Sequence, residues 1–268
     1  MGFRLKISKE ELIKLYIGRK LSIRQIAKLK SCSFSGIKGL LRKNQIPRRN
    51  KCESLNLCPN SFTQEEIDIL HGSILGDGHI TRKRGPNGEC QFYSGHGLKQ
   101  KEYLRWKYDK LHRFIGCKIY SLFHKINEKT HETVNFITRK SPLFTDLRKK
   151  FYKTMAYQEL SNEQFGRQIP DDITEWMNLN VLTVWFMDDG CKPANAICTE
   201  SFSKEDNIKL AEVLKLNFDI APIVGPKRHK NAINQFMLYF KGQERLKLIE
   251  ILRPQILSMF DYKLTYKS

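Results

Sequence analysis

Apolar and polar positions alternate along this 268-residue chain with two periods, one helical and one of two residues. Near the amino terminus, E-E-L-I-K-L-Y-I, S-I-R-Q-I-A-K-L-K and S-F-S-G-I-K-G-L-L-R-K-N repeat with the helical period. They predict three short helices, with Ser22 and Ser33 as N-caps. Leu12, Tyr16, Ile23, Ile26, Ala27, Ile37, Leu40 and Leu41 can close a small core of their own. Residues 51–62 read as a linker, broken at Pro59 and Asn60, after which Thr63 and Glu66 form the capping box of a new helix.

From Thr63 the pattern is written twice. After a first apolar helix come H-I-T-R-K-R and C-Q-F-Y-S-G-H-G as a hairpin, then the long amphipathic helix from Lys99. The strand pair K-I-Y-S-L-F-H-K and T-V-N-F-I-T-R-K follows, and a closing helix runs from Leu143 to Tyr152. The second half repeats the order more briefly. N-A-I-C-T-E-S-F reads as strand, S-K-E-D-N-I-K-L-A-E-V-L-K-L as helix, a basic stretch as turn, N-Q-F-M-L-Y-F-K as strand and E-R-L-K-L-I-E-I-L as helix. Two cycles of helix–strand–strand–helix–strand–strand–helix make an α+β pseudo-dimer with halves at 63–170 and 171–268, beside an all-α unit at 1–50.

The first helix of each half ends alike: L-H-G-S-I-L-G-D-G at residues 70–78 and L-T-V-W-F-M-D-D-G at residues 182–190. Each carries a carboxylate, Asp77 or Asp189, to a helix C-terminus, where orphan carbonyls and the negative end of the dipole already attract cations. Mg²⁺ is commonly held by one or two carboxylates with water and phosphate oxygens, and two metals ~4 Å apart suit in-line attack on a phosphodiester. Gly72 and Gly76 leave one helix face bare for a close partner. The second helix puts Val184, Trp185 and Asp188 near that contact, so the two helices are not equivalent. One apolar helix ending in Asp-Gly is ordinary; two copies with similar sequence after each are not.

These paired motifs, with G-D-G-H-I after the first and W-F-M-D-D-G-C-K around the second, resemble those of the LAGLIDADG homing endonucleases. The resemblance implies a tandem αββαββα core whose antiparallel sheets form a saddle over double-stranded DNA. It also implies a monomer, encoded within an intron or intein, that cuts both strands and leaves short 3′ extensions. Two or three Mg²⁺ ions would be held by Asp77 and Asp189 with the preceding positions Gly76 and Asp188. Mn²⁺ would substitute, and Ca²⁺ would bind without supporting cleavage. Family members place a basic residue near each scissile phosphate, in a K-x-I-P segment and a Y-K-L segment; the matching residues here are Arg167 of R-Q-I-P and Lys263. Arg167 departs from the usual Lys and is poorly suited to proton transfer. The amino-terminal unit resembles a helix-turn-helix module, whose third helix would present Ser35, Lys38 and Arg42 to the major groove. A basic appendage on the main domain is the alternative.

Strand alternation gives the remaining DNA-facing set. In N-Q-F-M-L-Y-F-K, Phe236, Leu238 and Phe240 form the apolar row and leave Gln235, Tyr239 and Lys241 outward. The other strands give His79, Thr81, Lys83, Gln91, Tyr93, Lys140, Asn195 and Thr199.

Charge sharpens the picture. Lys and Arg number 47 against 28 Asp and Glu, a net charge of +19, and residues 1–60 alone hold 15 basic and 3 acidic side chains. Such concentration fits a phosphate-binding surface better than a general aid to solubility. Seven cysteines without a C-x-x-C pair or suitably spaced His do not read as a zinc site or a disulfide framework. No apolar run reaches the ~18 residues of a membrane span, and no signal-peptide pattern opens the chain, so a soluble intracellular protein is expected. The Cys/Ser start and His-Asn end used in intein splicing are missing, so splicing by this chain is not expected. Three alternatives stay open: an RNA maturase binding intron RNA on the same fold, a catalytically inactive DNA-binding regulator, and a DNA-bridging protein.

Overall fold

A computed structural model of the chain describes residues 7–46, 48, 59–81, 89–126, 128–153, 166–228 and 234–265. It divides into two compact units, residues 1–59 and 60–268.

In the first unit, helices α1 (Lys9–Ile13, continued by a wider turn to Gly18), α2 (Ile23–Leu29) and α3 (Phe34–Lys43) close on Leu12, Tyr16, Ile26, Ile37 and Leu41. Ser22 and Ser33 are the N-caps that the sequence indicates, and Ser22 completes a capping box with Gln25. Ser35, Lys38 and Arg42 are exposed on α3.

The second unit is built from two halves of the same topology. The first runs α4 (Gln64–Leu75), β1 (His79–Ile80), β2 (Phe92–Gly97), α5 (Lys101–Lys110), β3 (Tyr120–Ile126), β4 (Lys129–Ile137) and α6 (Pro142–Phe151). A short helix, α7 (Ile173–Trp176), precedes the second: α8 (Leu179–Asp189), β5 (Gly190–Cys191), β6 (Ala196–Ile197), α9 (Lys204–Phe218), β7 (Ile223–Pro226), β8 (Phe236–Tyr239) and α10 (Gly242–Leu252). Each half holds one four-stranded antiparallel sheet, in the orders β1-β2-β4-β3 and β5-β6-β8-β7. The capping box of Thr63 and Glu66 starts α4, and Asn178 caps α8. Strand β7 falls in the stretch that the basic composition marks as turn. Its pattern of small and apolar residues, Ile-Val-Gly-Pro, is too short to announce a strand.

One apolar core runs through both halves, because the two signature helices α4 and α8 pack on each other and are buried along their lengths. The close approach has a specific shape. A Cβ on Gly72 would lie 2.7 Å from Cβ of Val184 and from the carbonyl of Val181, and one on Gly76 would lie 2.5 Å from Cβ of Asp188. Val184 and Asp188 fill the gaps that the two glycines leave, so the inequivalence read from the sequence is complementarity. At the other end of the pair, the buried Asp68 accepts hydrogen bonds from Asn178 and Asn180.

Candidate metal and nucleic-acid site

Both motif carboxylates lie where their helices meet. Asp77 follows α4 and keeps 46% of its side chain open to solvent, whereas Asp189 is the last residue of α8. Burial of the cleft, then repulsion from Asp188, raises Asp77 to about 6. Burial followed by the charges of Asp77 and Asp188 holds Asp189 well above the usual carboxylate range. Acids that raise one another in a confined space form a natural cation site, since a divalent ion removes the repulsion. Among the described residues the Asp189 carboxylate has no hydrogen-bond or ion-pair partner, so its donor oxygens are uncommitted.

Each helix end is closed by a cation. Arg167 donates to the carbonyls of Ile74 (3.1 Å), Gly76 (2.9 Å) and Gly78 (3.3 Å). Lys263, in a tight turn at Ser258–Lys263, donates to Phe186 (3.4 Å), Met187 (2.7 Å) and Asp188 (3.1 Å). Both satisfy the orphan carbonyls of a helix C-terminus and oppose the dipole there. An ammonium has three donors, and Lys263 spends all three on backbone. Burial pulls its ionisation below the ordinary lysine range, against the raising effect of Asp188, Asp189 and Asp77. The carbonyls of Gly76 and Asp188, named with the metal ligands, thus each accept a hydrogen bond from one of these cations and keep a second lone pair.

The side chain of Asp188 is also committed. Lys107 Nζ, wholly buried on α5, lies 2.8 and 2.9 Å from its two oxygens. His96 on β2 stands beside them, with Nε2 at 3.3 Å from Lys107 Nζ and Nδ1 at 3.5 Å from Oδ2 of Asp77. Burial, then the Lys107 charge, lowers His96 to about 4 and keeps the ring neutral at pH 7. Sequence reasoning missed both residues. The signal was a polar side chain in an apolar phase: Lys107 falls three and four positions after Leu104 and Tyr103, which face the core, and His96 follows Phe92 and Ser94 on the inner side of β2.

The DNA-facing expectations divide. His79 and Tyr93 are half-buried and stack at 4.7 Å across β1 and β2. Tyr93 donates to Asn135. Thr81 accepts from the Gln91 amide at 3.0 Å, and the Gln91 side chain donates to Thr138 at 2.7 Å. Lys140 is exposed just beyond β4, Asn195 on the β5–β6 turn, Lys241 before α10, and Gln235 is half-buried. Asn195, Tyr239 and Lys241 line an open concavity of about 420 Å³ with Lys227 and Arg228. Thr199 is corrected: it is fully buried, and its hydroxyl donates to Asn207 on α9. Strand β6 ends at Ile197, so the alternation that put Thr199 outward no longer holds two residues later. Lys83 lies outside the described residues. Cys191 and Cys198, beside Asp189, are free thiols with sulfurs 3.3 Å apart.

Comparison with known proteins places the chain among related sequences and folds. The chain is 26% identical over 221 residues to a protein named Protein RecA from Mycolicibacterium chitae, covering 77% of this chain and 48% of that one, so it spans about half the length of that relative. It is 25% identical to Cytochrome b mRNA maturase bI2 of Debaryomyces hansenii, covering 75% and 74% of the two chains. It is also 25% identical to DNA endonuclease I-ChuI of Chlamydomonas applanata, covering 76% and 96%. The structure of the homing endonuclease I-WcaI bound to its DNA recognition sequence superposes with a TM-score of 0.68 at 18% identity, over 85% of this chain and 99% of that one. Residues 67–248 match the LAGLIDADG DNA endonuclease family, and the chain is a member of it.

Proposed function

We propose that the protein is a site-specific, divalent-metal-dependent DNA endonuclease that makes a double-strand break as a monomer, with Asp77 serving one strand and Asp189 the other. The observation that carries this reading is the meeting of two crowded, elevated carboxylates at the ends of paired helices. Asp77 and Asp189 would hold Mg²⁺, which lowers the pKa of bound water and neutralises charge developing on the phosphate. Arg167 and Lys263 tie the helix ends, fix the positions of the two carboxylates and offset their negative charge; the Gly76 and Asp188 carbonyls would complete the ligand set with their second lone pairs. His79, Tyr93, Asn195, Tyr239 and Lys241, with Lys227 and Arg228, supply the protein side of the duplex interface.

The amino-terminal helices add a second electrostatic foothold through Ser35, Lys38 and Arg42. Removing residues 1–50 is expected to flatten the salt dependence of binding, with cleavage of the core site surviving at higher protein concentration. An unchanged salt slope makes that unit an appendage.

The test is selection of cleavable duplexes from a random library in Mg²⁺, followed by mapping both cut positions on a plasmid that carries the selected sequence. One double-strand break per site, lost on chelation, supports the reading. The likeness to a maturase makes specific binding of a folded intron RNA the second reading. Tight RNA binding without any DNA cut would select it.

A further inference from the structure

The two carboxylates are not held alike. Around Asp77, three buried groups form one assembly. Lys107 Nζ contacts both oxygens of Asp188 and lies 3.3 Å from Nε2 of His96. An ammonium only donates, so Nε2 accepts and the neutral ring carries its proton on Nδ1. That nitrogen is buried and lies 3.5 Å from Oδ2 of Asp77, with the Gln100 side chain also beside the ring. On the other arm, Oδ2 of Asp188 accepts the backbone N–H of Asp77 at 3.3 Å. Asp77 is therefore approached at its carboxylate and at its amide by two ends of the same buried network.

Among the described residues the second half has no equivalent at the matching positions. His96 lies three residues after Tyr93, the partner of His79, and five before the start of α5. The matching position three residues after Ala196, the partner of Cys191, and five before the start of α9 is Thr199. The position matching Lys107 is Leu210, which is fully buried in the core. Asp77, His96 and Asp188 do offer ligand atoms within 4.8 Å of one another. Lys107 already provides the cation there, which argues against a further metal at that spot.

We propose that Lys107 and His96, acting with the Asp188 side chain, are positioning residues for the Asp77 centre, orienting its carboxylate for the metal so that one DNA strand depends on them far more than the other. This rests on the nuclease reading above. The test compares the wild type with Lys107→Met/Asp188→Asn, His96→Ala and His96→Asn, on a selected target duplex carrying a different dye on each strand. Mn²⁺ affinity of the protein–DNA complex, measured by electron paramagnetic resonance, gives a readout that needs no cleavage.

The double variant removes both buried charges together, so it avoids stranding one of them. It is expected to slow one strand at least tenfold and the other clearly less, the smaller effect reflecting the Asp188 charge felt at Asp189, and to weaken Mn²⁺ binding several-fold with duplex affinity unchanged. His96→Ala should move the same strand. His96→Asn, which places an amide donor near the position of Nδ1, should recover much of the loss. Equal slowing of both strands, or no change in either, overturns the proposal, as does loss of one bound Mn²⁺ in His96→Ala, which would make His96 a ligand. If thermal melts show the double variant misfolded, the Ala and Asn pair decides. If the wild type cuts neither strand, the nuclease reading falls and the Mn²⁺ affinity of the free protein, compared across the same variants, judges the positioning role.

Discussion

The ends of α4 and α8 perform the same task with different parts. At α4, a guanidinium from the segment between the halves spreads over three carbonyls, and the residue before the acid is a glycine. At α8, a buried ammonium from the turn Ser258–Lys263 reaches three carbonyls, and the residue before the acid is an aspartate that pairs with its own lysine. Backbone topology repeats between the halves because strand order and helix placement tolerate many sequences. Side chains at the contact cannot repeat: where two helices touch this closely, bulk on one requires a gap on the other. Pseudo-symmetry is thus a property of the frame, and the chemistry inside it is asymmetric.

The largest expected effect erases the similarity that the two ends share. Asp77→Asn and Asp189→Asn should each lower cleavage of one strand on the order of 10³-fold, because a neutral amide is a poor ligand for a hard divalent cation. Duplex affinity, which comes mostly from phosphate contacts elsewhere, should stay within a few-fold. A strand-resolved time course checks this; normal cutting by both variants ends the two-carboxylate mechanism.

Next in size are the capping cations. Lys263→Met and Arg167→Met should slow different strands by roughly 10- to 100-fold through loosened helix ends. Lys263→Met should also lower the melting temperature more, since three buried carbonyls lose their donor and Arg167 is only half-buried. Nicked plasmid accumulating to different extents in the two variants is the sign to look for. Identical profiles would mean that these cations are not strand-specific.

A smaller effect tests the gap and the bulk. Gly72→Ala should cost about 1–3 kcal/mol by overpacking against Val184, and adding Val184→Ala should return part of it. Denaturant titration of the two single variants and the double variant measures the coupling; strict additivity would show that the helices do not interlock here.

The last concerns His71, one residue from that gap, whose ring packs at 4.1 Å on Trp176. Burial, then the charge of Lys150, lowers it to about 4 from 6.5. The unfolded chain therefore binds a proton in the window from 6.5 down to about 4 that the folded chain refuses. Stability from this residue is complete above 6.5 and is lost as pH falls through the window, by about 2 kcal/mol between pH 7 and pH 5. His71→Phe should flatten that slope in thermal melts, and a slope unaltered by the substitution would place its origin elsewhere.

The sequence carried the frame well because the frame rests on periodicity and caps. Thr63, Ser22 and Ser33 start the helices they announce, and the doubled motif locates the contact between halves. Short strands were less legible: β7 is four residues, and β6 stops before Thr199, so alternation had too few positions to fix a face. His96 and Lys107 were hidden for another reason. Their role depends on a partner more than 80 residues away in sequence, Asp188, and nothing local says which acid a buried base will meet. Arg167 and Lys263 were legible as basic residues near the acids, but their grip on helix carbonyls was visible only in three dimensions.

The fit of Asp188 over Gly76 also bears on how such a chain can descend and be divided. A dimer of two first halves would set Gly76 opposite Gly76 and require a different helix spacing; a dimer of two second halves would press two Asp188 carboxylates together with no Lys107 to separate them. At this contact the two halves are complements and not copies. Separately expressed fragments should recover the interface only as a mixed pair, and exchanging one half for a second copy of the other should abolish it.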